Sequence, residues 1–220
     1  MIKDNTKDRI LDAAEQLFSE QEYAATSLRS ITTRAQVNLA AVNYYFGFKK
    51  ELYQAVISRK VNPINQRRLA MLDDLEAEAG SGPVQLQDIL KAFLEPVFNL
   101  QVTDRTDRGR FLKLAARAHM DPNPEIQAMF IELFQEIFQR FMKALQRALP
   151  GFSKEALQMK FHFMIGSMIH TLHWDQCMDR SFLRKFFTKD RDVLLMHLIR
   201  FATEGMRANV FPDVEEDRHE

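Results

Sequence analysis

Asn43, Tyr44, Tyr45 and Lys49 crowd into one short stretch, preceded by Thr26, Ser27 and Arg29. Their chemistry is hydrogen bonding and charge rather than bond cleavage. An amide can bond base edges, phenols can reach a sugar–phosphate backbone, and an ammonium can hold a phosphate. No Gly-rich phosphate loop, no His-Glu-x-x-His and no serine or cysteine in a nucleophile context accompanies them. The one cysteine, Cys177, stands between Asp175 and Asp179, where negative charge disfavours a thiolate. It also rules out an internal disulfide and a cysteine-built zinc site. No enzyme activity is expected.

A second set of polar residues, His162, His170 and His173 with Gly166, falls within one arc of about 80° at roughly 100° per helical residue. The spacing of His170 and His173 could hold a metal, but no carboxylate or cysteine converges on them. The set reads as a dimer face on which Gly166 permits close approach, and neither a metal nor a cofactor is expected.

These residues sit in a chain of 220 residues, 46% hydrophobic and 27% charged, with 7 Gly and 7 Pro. That composition is globular and leaves room for a small module joined to a larger one. No apolar run reaches the ~18 residues of a membrane span, and the N-terminal residues lack a secretory core, so a cytoplasmic protein without a membrane partner is expected. The formal net charge is zero, yet the basic residues are not evenly spread. From Thr26 to Lys60, Arg29, Arg34, Lys49, Lys50, Arg59 and Lys60 face only Glu51. A neutral protein can bind nucleic acid through such a segment.

Scarce Gly and Pro, with apolar residues three and four apart, predict an all-α protein of about nine helices. The first runs from Asp4 to Gln21. A second follows a Thr26-Ser27 cap to near Arg34, and a third follows an Asn38 cap to about Tyr45, since Asn and Ser side chains suit helix caps. A long helix follows from Lys49 to about Glu78, with Pro63 as a kink point. Later helices cover 85–101, 107–120, 125–148, 153–178 and 189–208. The domains read as 1–48, a head; 49–208, a body; and 209–220, an acidic tail.

Thr26 to Lys50 holds two short helices separated by Ala35-Gln36-Val37-Asn38, the spacing of a helix-turn-helix. Ile31, Val37 and Val42 are placed to bury against Ile10, Leu17 and Phe18, which turns the third helix outward. Ile10 to Phe18, Thr26 to Ile31, Val37 to Phe46 and Lys49-Lys50-Glu51-Leu52, in this order, resemble the head of the tetracycline-repressor (TetR) family. The resemblance covers about the first quarter of the chain. It implies double-stranded operator DNA as partner and contacts from Thr26, Ser27, Arg29, Leu39, Ala40, Ala41, Asn43, Tyr44, Tyr45 and Lys49. Two positions depart from the family pattern: Gln36 stands where the turn usually has Gly, and Asn43 where Tyr is frequent. A left-handed Gln36 costs roughly 1 kcal/mol more than Gly.

The same resemblance implies that the body binds a ligand and forms a homodimer through its last two long helices. All phenylalanines except Phe18, Phe46 and Phe48 lie beyond residue 90. Aromatic walls with adaptable Met suit an apolar ligand, and Phe93, Phe111, Phe130, Phe134, Phe138, Phe163, Met164 and Met168 are the candidate pocket residues. Asn38 to Tyr44, Phe161 to Gly166 and Gly205 to Ala208 further resemble the fatty-acid-responsive members that repress β-oxidation genes. That implies a long-chain fatty acid or its acyl-CoA as effector. The rival readings are a regulator of efflux or stress genes with another apolar effector, and a structural helical protein. The second would not need a basic, capped, Tyr-bearing segment.

Overall fold

A computed structural model describes residues 5–99, 105–177 and 190–209. The described residues form ten helices and no strand: α1 (Asn5–Glu20), α2 (Leu28–Ala35), α3 (Leu39–Phe46), α4 (Lys49–Ala79), α5 (Leu86–Phe98), α6 (Arg105–His119), α7 (Pro124–Glu132), α8 (Gln135–Ala148), α9 (Lys154–Cys177) and α10 (Arg191–Arg207). None is long and apolar enough to cross a membrane. The tenth helix arises because 125–148, expected as one element, is two. Its chain turns at Leu133 and Phe134, and the Leu133 carbonyl accepts a bond from Asn65 Nδ2 at 2.9 Å. Pro63 lies inside α4 without ending it.

By compactness the chain divides into Met1–Gln66 with Leu100–Glu136, and Arg67–Asn99 with Ile137–Glu220. The helix α4 runs through both units. The first unit therefore holds more than the 1–48 head: the opening turns of α4 bury Leu52, Tyr53, Val56 and Ile57, and α6 packs on α1. Its small core is the one expected, with Ile10, Ala14, Ile31 and Val42 fully buried and Leu17 and Phe18 nearly so; Val37 is half-buried. Arg59 reaches Asp12 at 2.7 Å and also binds the buried Glu15, which Lys60 meets at 3.3 Å. These pairs stitch α4 to α1.

In the second unit α5 is buried on almost every side, as a central helix must be, and α10 packs on it and on α9. Phe93 meets the rings of Phe141 and Phe161 edge-on at 5.2 and 4.8 Å. The C-terminus of α10 is closed by Lys160 of α9, whose ammonium donates to the Gly205 carbonyl at 2.9 Å and to that of Ala208. A cation on the last carbonyls also complements the helix dipole.

Candidate nucleic-acid interface

The turn between α2 and α3 is built by short polar residues. Ser27 caps α2 by accepting the Ser30 N–H at 3.0 Å, and Asn38 caps α3 by accepting that of Ala41 at 2.8 Å. Between them Gln36 is left-handed, at φ 53° and ψ 49°. The Val37 N–H donates to the Thr32 carbonyl and the Gln36 N–H to that of Thr33, which together make a Schellman closure. Arg9 of α1 donates to the Ala35 carbonyl and, at 2.9 Å, to that of Gln36. That pin on the turn carries no sequence signature, because a surface-type arginine is spent on carbonyls 26 and 27 residues away.

The left-handed turn gives a direct prediction. Gln36 is exposed and all its anchoring bonds are backbone bonds, so Gln36→Gly removes Cβ strain without loss of packing. It is expected to raise stability by about 1 kcal/mol in urea unfolding. An unchanged or lower midpoint would mean that this turn is not held left-handed.

Two buried residues, Val42 and Phe46, fix α3, and its opposite side is open. Leu39 is 50% exposed and Tyr44 83%, with Ala40 and Asn43 also exposed and Ala41 and Tyr45 half-buried. Tyr45 meets Tyr44 edge-on at 5.0 Å. Ser27 and Arg29 are exposed at the start of α2. The structure places Thr26 apart from this surface: it is 1% exposed, with its hydroxyl donating to the Glu22 carbonyl at 3.1 Å. Its side chain shapes the entry to α2 from within.

Lys49, the first residue of α4, lies over the Tyr23 ring at 4.2 Å from its centroid. Tyr23 in turn packs on Tyr53, and Tyr53 on Phe18. Desolvation against these rings pulls the Lys49 pKa down, and the Asp121 carboxylate opposes that fall. The other basic residues of the segment are engaged differently from what their number suggests. Arg34 pairs with Glu20 at 3.3 Å and Lys50 with Glu125 at 3.2 Å, while Arg59 and Lys60 serve the α1 contact. Of the six, Arg29 and Lys49 have no acidic ion-pair partner among the described residues.

The candidate pocket residues do not gather in one unit. Phe111, Phe130 and Phe134 belong to the first, where Phe130 and Phe134 pack at 5.1 Å; Phe93, Phe138, Phe163, Met164 and Met168 belong to the second. Phe93, Met164 and Met168 are buried, Phe138 lies against Phe161 at 5.9 Å, and Phe163 is 58% exposed on α9. On the same helix His162, Gly166 and His170 are exposed; the side chains of His173 and Cys177 lie outside the described residues, as do 210–220 of the tail. A groove of about 500 Å³ runs between α9 and α10, lined by Gly166, Ser167, His170, Thr171, Leu194, His197, Leu198 and Phe201. The α10 side of that face was not among the residues singled out from the sequence.

Two family models match the chain: bacterial regulatory proteins of the tetR family over residues 10–56, and the tetracyclin repressor-like C-terminal domain over residues 91–205. The chain belongs to the TetR family. Among curated relatives it is 39% identical over 57 residues to the probable HTH-type transcriptional regulator YttP of Bacillus subtilis, covering 26% of this chain and 28% of that protein. To the HTH-type transcriptional repressor NicS of Pseudomonas putida it is 33% identical over 72 residues, covering 33% and 34%. The matched stretches thus span about a third or less of those relatives. Over its length the fold is similar to FadR of Bacillus subtilis, solved in complex with stearoyl-CoA, with a TM-score of 0.65 at 15% identity over 90% of this chain and 98% of that one. Family and relatives alike are transcriptional regulators, not enzymes.

Proposed function

We propose that this TetR-family regulator is a cytoplasmic repressor that binds a palindromic duplex operator as a homodimer and is released by an apolar effector. The observation that carries the DNA reading is α3: Asn38 caps it, Val42 and Phe46 anchor it, and Ala40, Asn43 and Tyr44 face outward. Short and planar side chains on an outward helix suit base edges, and Lys49 and Arg29 supply the flanking charge. In functional terms residues 1–48 are the head, 49–208 the sensing and dimerising body, and 209–220 an acidic tail.

Phe163, Ile169, Met196 and Phe201 are exposed on α9 and α10, beside the groove that His170 lines. A second copy covering this face would place two heads on two half-sites, whose spacing must match the protein's own. The effector reading is a long-chain fatty acid or acyl-CoA. The Phe- and Met-rich core of the second unit supports it, together with the likeness of fold to a protein solved with stearoyl-CoA. We infer that coupling uses α4, the helix whose residues belong to both units. Within the first unit, Arg117 of α6 donates to the carbonyls of Phe18 and Ser19 at the end of α1. An effector acts through this route only if it binds the two states with different affinity.

The test measures binding of purified protein to a labelled duplex that it has itself enriched from a random-sequence pool. Binding at low salt by a species of twice the monomer mass, with release on adding oleoyl-CoA, is the expected result. No binding at low salt rejects the DNA reading; binding that ignores oleoyl-CoA and oleate rejects the effector.

A further inference from the structure

Five helices, α2, α3, α7, α9 and α10, begin on a short polar residue whose side-chain oxygen accepts a first-turn N–H: Ser27, Asn38, Asn123, Ser153 and Asp190. The longest helix does not, and neither does α5, which begins after Gln85 without a side-chain cap bond. The first bond into α4 runs from the Leu52 N–H to the Phe48 carbonyl at 3.2 Å, which makes Phe48 its cap residue. Phenylalanine has no oxygen to offer the orphan N–H groups of the first turn. Its ring is not there for packing either, being 78% exposed. Gly47, at φ 75°, turns the chain so that Phe48 follows the end of α3 directly. An uncapped helix start and an apolar ring in water are each unfavourable. Both occur at one residue, between the exposed Tyr44 and Lys49.

We propose that Phe48 is a DNA-contacting residue, whose ring packs on the deoxyribose beside the phosphate that Lys49 holds. The inference rests on the reading of α2, α3 and the start of α4 as the DNA interface. Duplex DNA offers apolar surface as sugar faces, thymine methyls and base faces, and beside a backbone phosphate the sugar is the apolar group at hand. A ring laid there excludes water from the lysine–phosphate pair and strengthens it. The uncapped N–H groups of the first turn remain available to the same phosphate. The contact reads no base, so it raises affinity on every sequence. It releases no counterion, so it leaves the salt dependence as it was.

Full-length Phe48→Ala and Phe48→Ser proteins test this, with anisotropy on the wild-type-selected duplex across a range of salt. Both are expected to bind about tenfold more weakly at each salt concentration, with an unchanged slope of log affinity against log salt. Phe48→Ser is also expected to melt at a higher temperature, because its hydroxyl caps α4. Weaker DNA binding by a more stable protein cannot come from a damaged fold. Wild-type affinity in Phe48→Ala overturns the proposal, and so does a loss confined to Phe48→Ser, which would implicate the capped N–H groups instead of the ring. Lys49→Ala separates the two levels of inference. If it lowers the salt slope while Phe48→Ala changes nothing, the interface stands and only the Phe48 contact falls. If the wild type binds no duplex at low salt, both fall.

Discussion

Replacing Arg68 by alanine is expected to lower the unfolding free energy by about 3 kcal/mol, a fall in Tm of roughly 6–12 °C. Arg68 lies on α4 within the second unit and is among the most completely buried side chains described. Its Nε donates to the Phe93 carbonyl at 2.8 Å, its guanidinium carbon stands 4.0 Å from the Phe93 ring centroid, and Nη2 reaches Met168 Sδ at 3.8 Å. Desolvation pulls its pKa down to about 9, which still leaves it charged at neutral pH. Alanine therefore removes a stacked cation, a donor and an aliphatic stem at once, next to the ring that also packs on Phe141 and Phe161. Arg68→Lys keeps the charge but has neither the planar stack nor the Nε donor, and is expected to lose about 2 kcal/mol. Urea unfolding followed by near-ultraviolet circular dichroism reads both. Equal midpoints for wild type and Arg68→Ala would mean that the side chain does not organise the aromatic core.

Arg68 also marks where the sequence stops being readable. Helix starts at Ser27 and Asn38 were legible because a cap is a bond over two or three residues, written in the order of the chain. The face of α1 was legible because Ile10, Ala14, Leu17 and Phe18 recur at helical spacing. The left-handed turn at Gln36 was implied only by the family resemblance, in which Gly usually stands there; its own residue type argues against it. What could not be read are bonds between distant residues. At the end of α7 Asn65 donates to the carbonyl of Leu133, 68 positions away, and no Gly or Pro stands at the break to announce it. Arg59 and Lys60 counted as part of a basic DNA-facing segment, yet their partners Asp12 and Glu15 lie on α1. The family resemblance implies a DNA contact from Thr26; its side chain is buried, with its hydroxyl donating to the Glu22 carbonyl. Charge and polarity name what a residue can do. Only the packing says on what it is spent.

That distinction decides the second large effect. Lys49→Ala is expected to weaken DNA binding by roughly 30-fold at moderate salt, from about 1 kcal/mol in each of two half-sites. It is also expected to reduce the slope of log affinity against log salt by about 2, one released counterion per half-site. The effect is large because the basic segment is poorer than its composition suggests: Arg34, Lys50, Arg59 and Lys60 are already paired with acids. Few charges then supply the electrostatic term, and each one counts for more. The Tyr23 ring holds the ammonium in place at 4.2 Å, so little side-chain freedom remains to be lost on binding. The pH dependence has a definite sign. Desolvation lowers the pKa of Lys49 in the free protein, whereas a phosphate would raise it. The bound state therefore holds more protons, and affinity falls as the pH rises through the lowered pKa of the free lysine. In Lys49→Ala that part of the alkaline fall disappears; in Lys49→Arg the affinity persists to higher pH, because a guanidinium stays charged there. A loss confined to one operator sequence, with the salt slope untouched, would make Lys49 a reader of bases instead of an anchor on the backbone.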